Sequence, residues 1–116
     1  MVINLVPQGR VDLLEVTKHG EVLTVNGIDF DLSPIGEGDT LPVTAIDSHW
    51  FLDKVERNRG VLGLTLLLPI PWNYSQEQAF PVPLVNIPDG PVLLPQPLPE
   101  PLVPVAYDQV SEETQA

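Results

Sequence analysis

The chain has 116 residues, a mass of 12.7 kDa and a formal net charge of -11, from 16 acidic and 5 basic side chains. This length allows one ordinary domain, and the acidic balance argues against a nucleic-acid partner or an anionic membrane surface, because both need a basic footprint. No cysteine is present, which excludes disulfides, thiolate zinc sites and cysteine nucleophiles.

The first predicted element is a three-stranded antiparallel meander over residues 11–32. Asn26-Gly27 is a strong signal for a two-residue hairpin turn, and it pairs Leu23 with Phe30. A second two-residue turn is predicted at His19-Gly20. Both turns place the same apolar side chains on one face, which is evidence for the register; these are Leu14, Val16, Leu23, Val25, Ile28, Phe30 and Leu32.

A second hairpin is predicted after a loop rich in glycine, proline and acids at residues 33–42. Its first strand begins at Trp50, its turn covers residues 57–60, and leucines alternate on the return strand at positions 62, 64, 66 and 68. A period of two indicates one buried face. Gly60 can supply the positive φ of a bulged turn, which leaves the register open by one residue. Pro69 and Pro71 are expected to end this strand.

The last part of the chain is dominated by proline. Nine of the 14 prolines lie between Pro81 and Pro104, so residues 80–87 and 92–94 are expected to form only edge strands. From residue 96 onward the sequence favours an extended, polyproline-like tail that cannot join a sheet interior. We therefore predict an all-β protein, a small antiparallel β-sandwich or partly open barrel over residues 1–95, with a proline-rich acidic tail over residues 96–116.

The two histidines, His19 and His49, are the only side chains that ordinarily titrate near neutral pH in this chain. His19 is predicted at an exposed turn tip. Asp47-Ser48-His49 contains the residue types of a hydrolytic triad, but a triad is assembled in space from separate segments. A turn that leads into Trp50 is the simpler interpretation.

The carboxylates give weak signals for chemistry. Asp29 and Asp31 are predicted on one strand face about 7 Å apart, a spacing within the inverting-glycosidase range. Alternating acids on a polar sheet face also protect an edge. The loop Gly36-Glu37-Gly38-Asp39 has oxygen ligands without the spacing of an EF-hand. We therefore predict no catalytic residue, no metal site and no cofactor.

Aromatic residues and the tail are the better candidates for binding a partner protein. Trp50 is expected in the core or at its rim, whereas Trp72 and Tyr74 lie in a proline-flanked loop and either anchor an interface or fold back over an open end of the barrel. The tail carries more apolar side chains than a solvating end needs, so it is interpreted as a docking arm. The predicted partner-binding residues are Trp72, Tyr74, Leu98, Leu102, Val103, Val105 and Tyr107.

Several stretches, in this order and spacing, resemble a family of small proteins encoded in the tail-gene modules of tailed bacteriophages and prophages of Gram-negative bacteria. The stretches are Leu23-Thr-Val-Asn-Gly-Ile-Asp-Phe-Asp-Leu-Ser-Pro34, Trp50-Phe51 with Val55-Glu-Arg57, Gly60-Val-Leu-Gly-Leu-Thr-Leu-Leu-Leu-Pro69, Phe80-Pro81 and Asp89-Gly-Pro-Val-Leu-Leu-Pro95. The resemblance covers residues 20–95, and the chain departs from the family after Pro69 and in its long tail. It implies a place in the tail tip, baseplate or fibre of a phage, and it brings no enzymatic motif.

The resulting expectation is a non-enzymatic structural or accessory protein that connects or decorates other phage tail proteins. It would be made in the host cytoplasm, since the N-terminus lacks the features of a signal peptide, and would end in the virion tail as a possible homo-oligomer. A tail-fibre assembly factor that is absent from the virion is the alternative. A virion-associated glycan hydrolase that uses Asp29, Asp31 or the Asp47/His49 region is a third hypothesis.

Overall fold

A computed structural model of the chain describes residues 1–99. Its eight strands are β1 Val2–Gly9, β2 Val16–His19, β3 Val22–Val25, β4 Ile28–Asp31, β5 Thr40–Leu41, β6 Val55–Asn58, β7 Val61–Ile70 and β8 Gly90–Pro91. A 3-10 turn covers Val43–Ala45, and a single helical turn, α1, covers Gln76–Ala79. The predicted all-β class is confirmed for this part of the chain.

The strands form two four-stranded sheets, ordered β1-β7-β6-β5 and β4-β3-β2-β8. Both sheets contribute to one apolar core, in which Ile3, Leu23, Val25, Val55, Leu64 and Leu66 are almost completely buried. Phe30 and Phe51 meet edge to face in this core, with ring centroids 4.9 Å apart. The shared core makes the arrangement a small sandwich.

The meander is present, with one turn displaced. The Asn26-Gly27 turn pairs Leu23 with Phe30 as predicted, and both turn residues have positive φ. The first turn contains Gly20 and Glu21 rather than His19 and Gly20, because His19 pairs with Val22. The displacement keeps the predicted face, since a two-residue shift in pairing preserves strand parity. Ile28 lies on the same face, opposite Val25, but is 58% exposed beside the turn.

The second hairpin has a definite register. Asn58 pairs with Val61, and Arg59 and Gly60 both have positive φ, so the turn has two residues and no bulge. The return strand β7 continues through Pro69 to Ile70, which corrects the expectation that Pro69 ends it. Pro69 is accommodated because, by alternation from Leu67, whose N–H donates to the Trp50 carbonyl, its missing N–H faces the side of β7 away from β1.

The sequence interpretation did not identify β1, which pairs with β7 along its whole length from Val2 to Gly9. This pair is parallel and departs from the purely antiparallel pattern expected. Because the parallel strands run in the same direction, β1 and β7 end at the same edge of the sheet, at Gly9 and Ile70. A surface cleft opens at this edge.

Candidate functional site

An open cleft of about 900 Å³ lies where β1 and β7 end. The connection from β1 to β2, residues 10–14, forms part of its wall, and so does the proline-rich segment at residues 94–97. The loop that follows β7 closes one side with Trp72 and Tyr74. The structure thus brings together two of the predicted partner-binding residues with the start of the predicted tail.

Trp72 and Tyr74 are largely exposed, at 77% and 50%. They line the cleft and do not fold into the core, so the alternative that they cover an open end of the barrel does not describe this structure. Trp50, in contrast, is 8% exposed, as expected for core or rim. Amphipathic aromatic side chains with this exposure are typical anchors of protein interfaces.

The charged side chains that line the cleft are Arg10 and Asp12. The Arg10 guanidinium donates two hydrogen bonds to the Asp12 carboxylate, at 2.8 and 2.7 Å, and lies 5.7 Å from the Trp50 ring centroid. These hydrogen bonds lower the pKa of Asp12 and raise that of Arg10. Since the two charges satisfy each other, the cleft presents a mainly apolar surface with no net charge.

Polar side chains on the loop and on α1 hold the proline-rich wall in place. The Ser75 hydroxyl donates to the Gln96 carbonyl at 2.6 Å, and the Gln78 side-chain amide donates to the Pro95 carbonyl at 3.3 Å. The Asn73 side-chain amide donates to the Leu98 carbonyl at 2.8 Å, while the Leu98 N–H donates to the Asn73 carbonyl at 3.0 Å. Hydrogen bonds with the body therefore continue past the predicted boundary at residue 95.

The sequence interpretation missed Asn73, Ser75 and Gln78. Ser75 and Gln78 are both 4% exposed, and they form a capping box at the start of α1, with the Gln78 N–H donating to the Ser75 hydroxyl at 3.2 Å. Serine followed three residues later by glutamine is a recognised signature of a helix start. That signal was present in the sequence and predicts the helical turn, although it does not predict the contacts with the tail.

The remaining predicted binding residues fall into two groups. Leu98 lies beside Asn73 and is 54% exposed. Leu102, Val103, Val105 and Tyr107 lie outside the described residues.

The histidines and acids weighed for chemistry lie at exposed positions. His19 is exposed beside its turn, and the exposed His49 ring contacts Trp50 at a centroid distance of 4.6 Å. The Ser48 hydroxyl accepts from the Trp50 N–H at 3.2 Å, which fits the predicted turn before Trp50. Asp29 accepts from the Thr24 hydroxyl at 2.6 Å, and hydrogen bonds from Ser33 lower the pKa of Asp31. A catalytic general acid requires a raised pKa, so these contacts do not favour Asp31 in that role.

Within residues 1–99, no group of three or more histidine, aspartate or glutamate side chains is placed to hold a metal ion. Over the same range, no helix has the length and apolar character needed to cross a membrane. Comparison with known proteins found no matching family model, no matching curated protein and no matching solved structure.

Proposed function

We propose that this chain is a non-enzymatic connector in the tail of a bacteriophage, at the tail tip, baseplate or fibre, and that its cleft is the docking surface for other tail proteins. The observation that carries the connector role is the cleft itself, which is apolar, uncharged overall and flanked by exposed Trp72 and Tyr74. The phage setting is supported by the resemblance of residues 20–95 to small proteins of phage tail modules.

The shape and chemistry of the cleft suit a protein ligand. Its volume of about 900 Å³ is open to solvent along one side, and its lining offers aromatic, leucine and proline surfaces with few polar groups. Interfaces of this kind gain most of their affinity from a few aromatic anchors in a desolvated centre. Among the described residues, the lining of the cleft contains no pair of side chains placed to serve as the general acid and the general base of hydrolysis.

Mass spectrometry of purified virions tests the phage proposal directly. The protein should be present at a fixed ratio to the major tail protein in particles purified from infected cells. If it is abundant in the infected cell and absent from particles, the assembly-factor alternative replaces the structural role. If it is found in neither particles nor tail-assembly intermediates, the phage proposal fails.

Affinity purification tests the docking surface. A tagged chain that carries Trp72→Ser and Tyr74→Ser should lose the tail proteins that the unchanged chain retains. Val61→Ser is the control, because Val61 is 42% exposed at the opposite end of β7 and lines no part of this cleft. Equal recovery of partners by the double variant and by the control would show that the proteins bind elsewhere.

A further inference from the structure

The proline-rich wall of the cleft shows how this protein binds an extended proline-containing segment. Side chains of Asn73, Ser75 and Gln78 donate hydrogen bonds to three backbone carbonyls, those of Leu98, Gln96 and Pro95. Donation to carbonyls suits a proline-rich ligand, because proline keeps its acceptor and lacks an N–H. Aromatic side chains beside such a segment are the usual companions of polyproline recognition.

The bound segment is followed by a near copy of itself. The sequence Leu94-Pro95-Gln96-Pro97-Leu98 is succeeded at once by Leu98-Pro99-Glu100-Pro101-Leu102, with glutamate in the place of glutamine. The first copy occupies the polar donors of its own chain. The second copy has the same spacing of leucine and proline, and because those donors are already occupied, the surface that the cleft offers it is apolar and aromatic.

We propose that the cleft of one molecule binds the proline-rich segment that follows Pro99 in a second molecule, with Leu102 and Val103 as its apolar contacts. The arriving segment would lie along residues 94–97 of the receiving molecule and cover its Trp72 and Tyr74. The identity of the ligand deepens the proposed function and rests on the cleft being a docking surface.

The position at which the described chain ends favours a second molecule over the chain's own tail as the source of the bound segment. Two hydrogen bonds fix Leu98 to Asn73, which is the neighbour of Trp72, so the described chain ends beside the cleft. To enter its own cleft, the tail would have to turn back sharply. Leu98 and Glu100 each precede a proline, and a residue before proline disfavours the helical backbone conformation that a tight turn uses. Seventeen residues follow Pro99, a length of about 50 Å if extended, ample to reach a neighbour.

A polyproline-type ligand is favoured over an added β-strand by the edge of β1. Ile3 uses its N–H and its carbonyl to pair with Leu84 on the side of β1 that faces away from β7. By alternation along the strand, Pro7 faces the same side. Pro7 has no N–H to offer, so β1 is a poor edge for strand addition beside the cleft.

The contact is head to tail, because each molecule offers one cleft and donates one arm. Such heterologous contacts build rings or open filaments. Sedimentation velocity over a concentration series measures this association for the full chain. Trp72→Ser with Tyr74→Ser, or Leu102→Ser with Val103→Ser, should each weaken it at least about tenfold. Val61→Ser and Val110→Ser are the controls on the body and on the tail, and circular dichroism checks that every variant is folded.

Mixing the two double variants gives the sharpest result. The first has an intact arm and the second an intact cleft, so an equimolar mixture should form a 1:1 heterodimer at a concentration where each variant alone is monomeric. Two monomeric variants that stay monomeric when mixed would overturn the proposal. An unchanged chain that is monomeric at every concentration would overturn it too.

If the chain is monomeric, acrylamide quenching of tryptophan emission distinguishes the two other occupants of the cleft, which are the chain's own tail and a different protein. A monomeric chain whose Trp72 is shielded, and loses that shielding when Leu102 and Val103 are replaced, would assign the cleft to its own tail. A monomeric chain with an accessible Trp72 would leave the cleft to a different protein. The second outcome contradicts only the choice of a second copy, whereas failure to retain any tail protein in the affinity experiment contradicts the proposed function.

Discussion

At the scale of single residues, Arg57 joins separate parts of the fold. It lies on β6 of one sheet, and its guanidinium donates to both carboxylate oxygens of Glu21, which lies in the β2–β3 turn of the other sheet. It also donates to the carbonyl of Ile35 at 2.5 Å. The planar fork of arginine fits this bidentate contact, and a lysine ammonium does not reproduce it.

Arg57→Lys should therefore lower the midpoint of thermal unfolding, even though the positive charge is kept. Arg59→Lys is the matched control, since Arg59 is exposed in the adjoining turn and is held through its backbone N–H, which donates to Glu37. Differential scanning calorimetry measures both variants. A loss of stability that is equal in the two variants would contradict the role given to the Arg57 fork.

The lowered pKa values of several carboxylates predict how the stability of the protein depends on pH. Hydrogen bonds from Arg57, Lys18 and Ser33 lower the pKa values of Glu21, Asp89 and Asp31 below their ordinary values of 4.5, 3.8 and 3.8. A depressed pKa in the folded state means that the unfolded chain binds protons more readily. The stabilisation is therefore complete above the ordinary pKa values and is lost as the pH falls through the lower folded values.

The midpoint of thermal unfolding should accordingly change little between about pH 7 and pH 5 and fall below about pH 4. A Glu21→Gln variant should be less stable than the unchanged chain at pH 7, and the difference should shrink in acid. A difference that grows as the pH falls would contradict the assigned direction of the Glu21 pKa shift.

At the scale of the elements, the Asn26-Gly27 turn does more than join β3 to β4. The Asn26 side chain accepts from the Glu15 N–H at 2.7 Å and donates to the Leu13 carbonyl at 3.0 Å. These bonds tie the turn to the connection that forms one wall of the cleft. Asn26 also has a φ of 48°, a conformation that asparagine and glycine tolerate better than other residues.

Asn26→Gly keeps the turn conformation accessible and removes both side-chain hydrogen bonds, so it should cost about 1–3 kcal/mol of unfolding free energy. Asn86→Gly is the control, because Asn86 has a φ of 52° and its side chain makes no hydrogen bond within residues 1–99. Urea denaturation of the two variants gives the comparison. Similar losses in both would assign the effect to glycine flexibility.

The elements also show which parts of the fold could be predicted from sequence. Local signals were sufficient for the hairpin at Asn26-Gly27, for the apolar face of the meander and for the alternating leucines of β7. The parallel pairing of β1 with β7 joins Val2 to Gly63, and no turn signal reports a contact over that separation. The same holds for the site, because Trp72 and Tyr74 could be chosen from residue type, whereas the contacts of Asn73, Ser75 and Gln78 with residues 95–98 depend on tertiary structure.

At the scale of the whole molecule, the uneven charge predicts how association responds to salt. Residues 60–116 contain six acids and no basic residue, so two such halves repel each other when they approach. This repulsion reaches over a Debye length of about 30 Å at 0.01 M salt and of only about 8 Å at 0.15 M. Self-association through this half should therefore strengthen as salt is added, which sedimentation at two ionic strengths will show. Association that is equally strong at both would contradict the charge argument.

The contacts of residues 96–98 limit how far the chain can be shortened without loss of stability. A chain that ends at residue 99 keeps every described contact of the proline-rich wall, whereas one that ends at residue 95 loses the hydrogen bonds of Gln96 to Ser75 and of Leu98 to Asn73. Three hydrogen bonds at about 0.5–1.5 kcal/mol each predict that the shorter chain is less stable by about 1.5–4.5 kcal/mol. Loss of the Gln96 carbonyl also leaves the Ser75 hydroxyl, on a residue 4% exposed, without its acceptor.

Urea denaturation should show the full chain and the 99-residue chain with equal free energies of unfolding and the 95-residue chain below both. A 99-residue chain that unfolds would mean that later residues complete the core, and a 95-residue chain of full stability would mean that the hydrogen bonds to residues 96–98 contribute nothing.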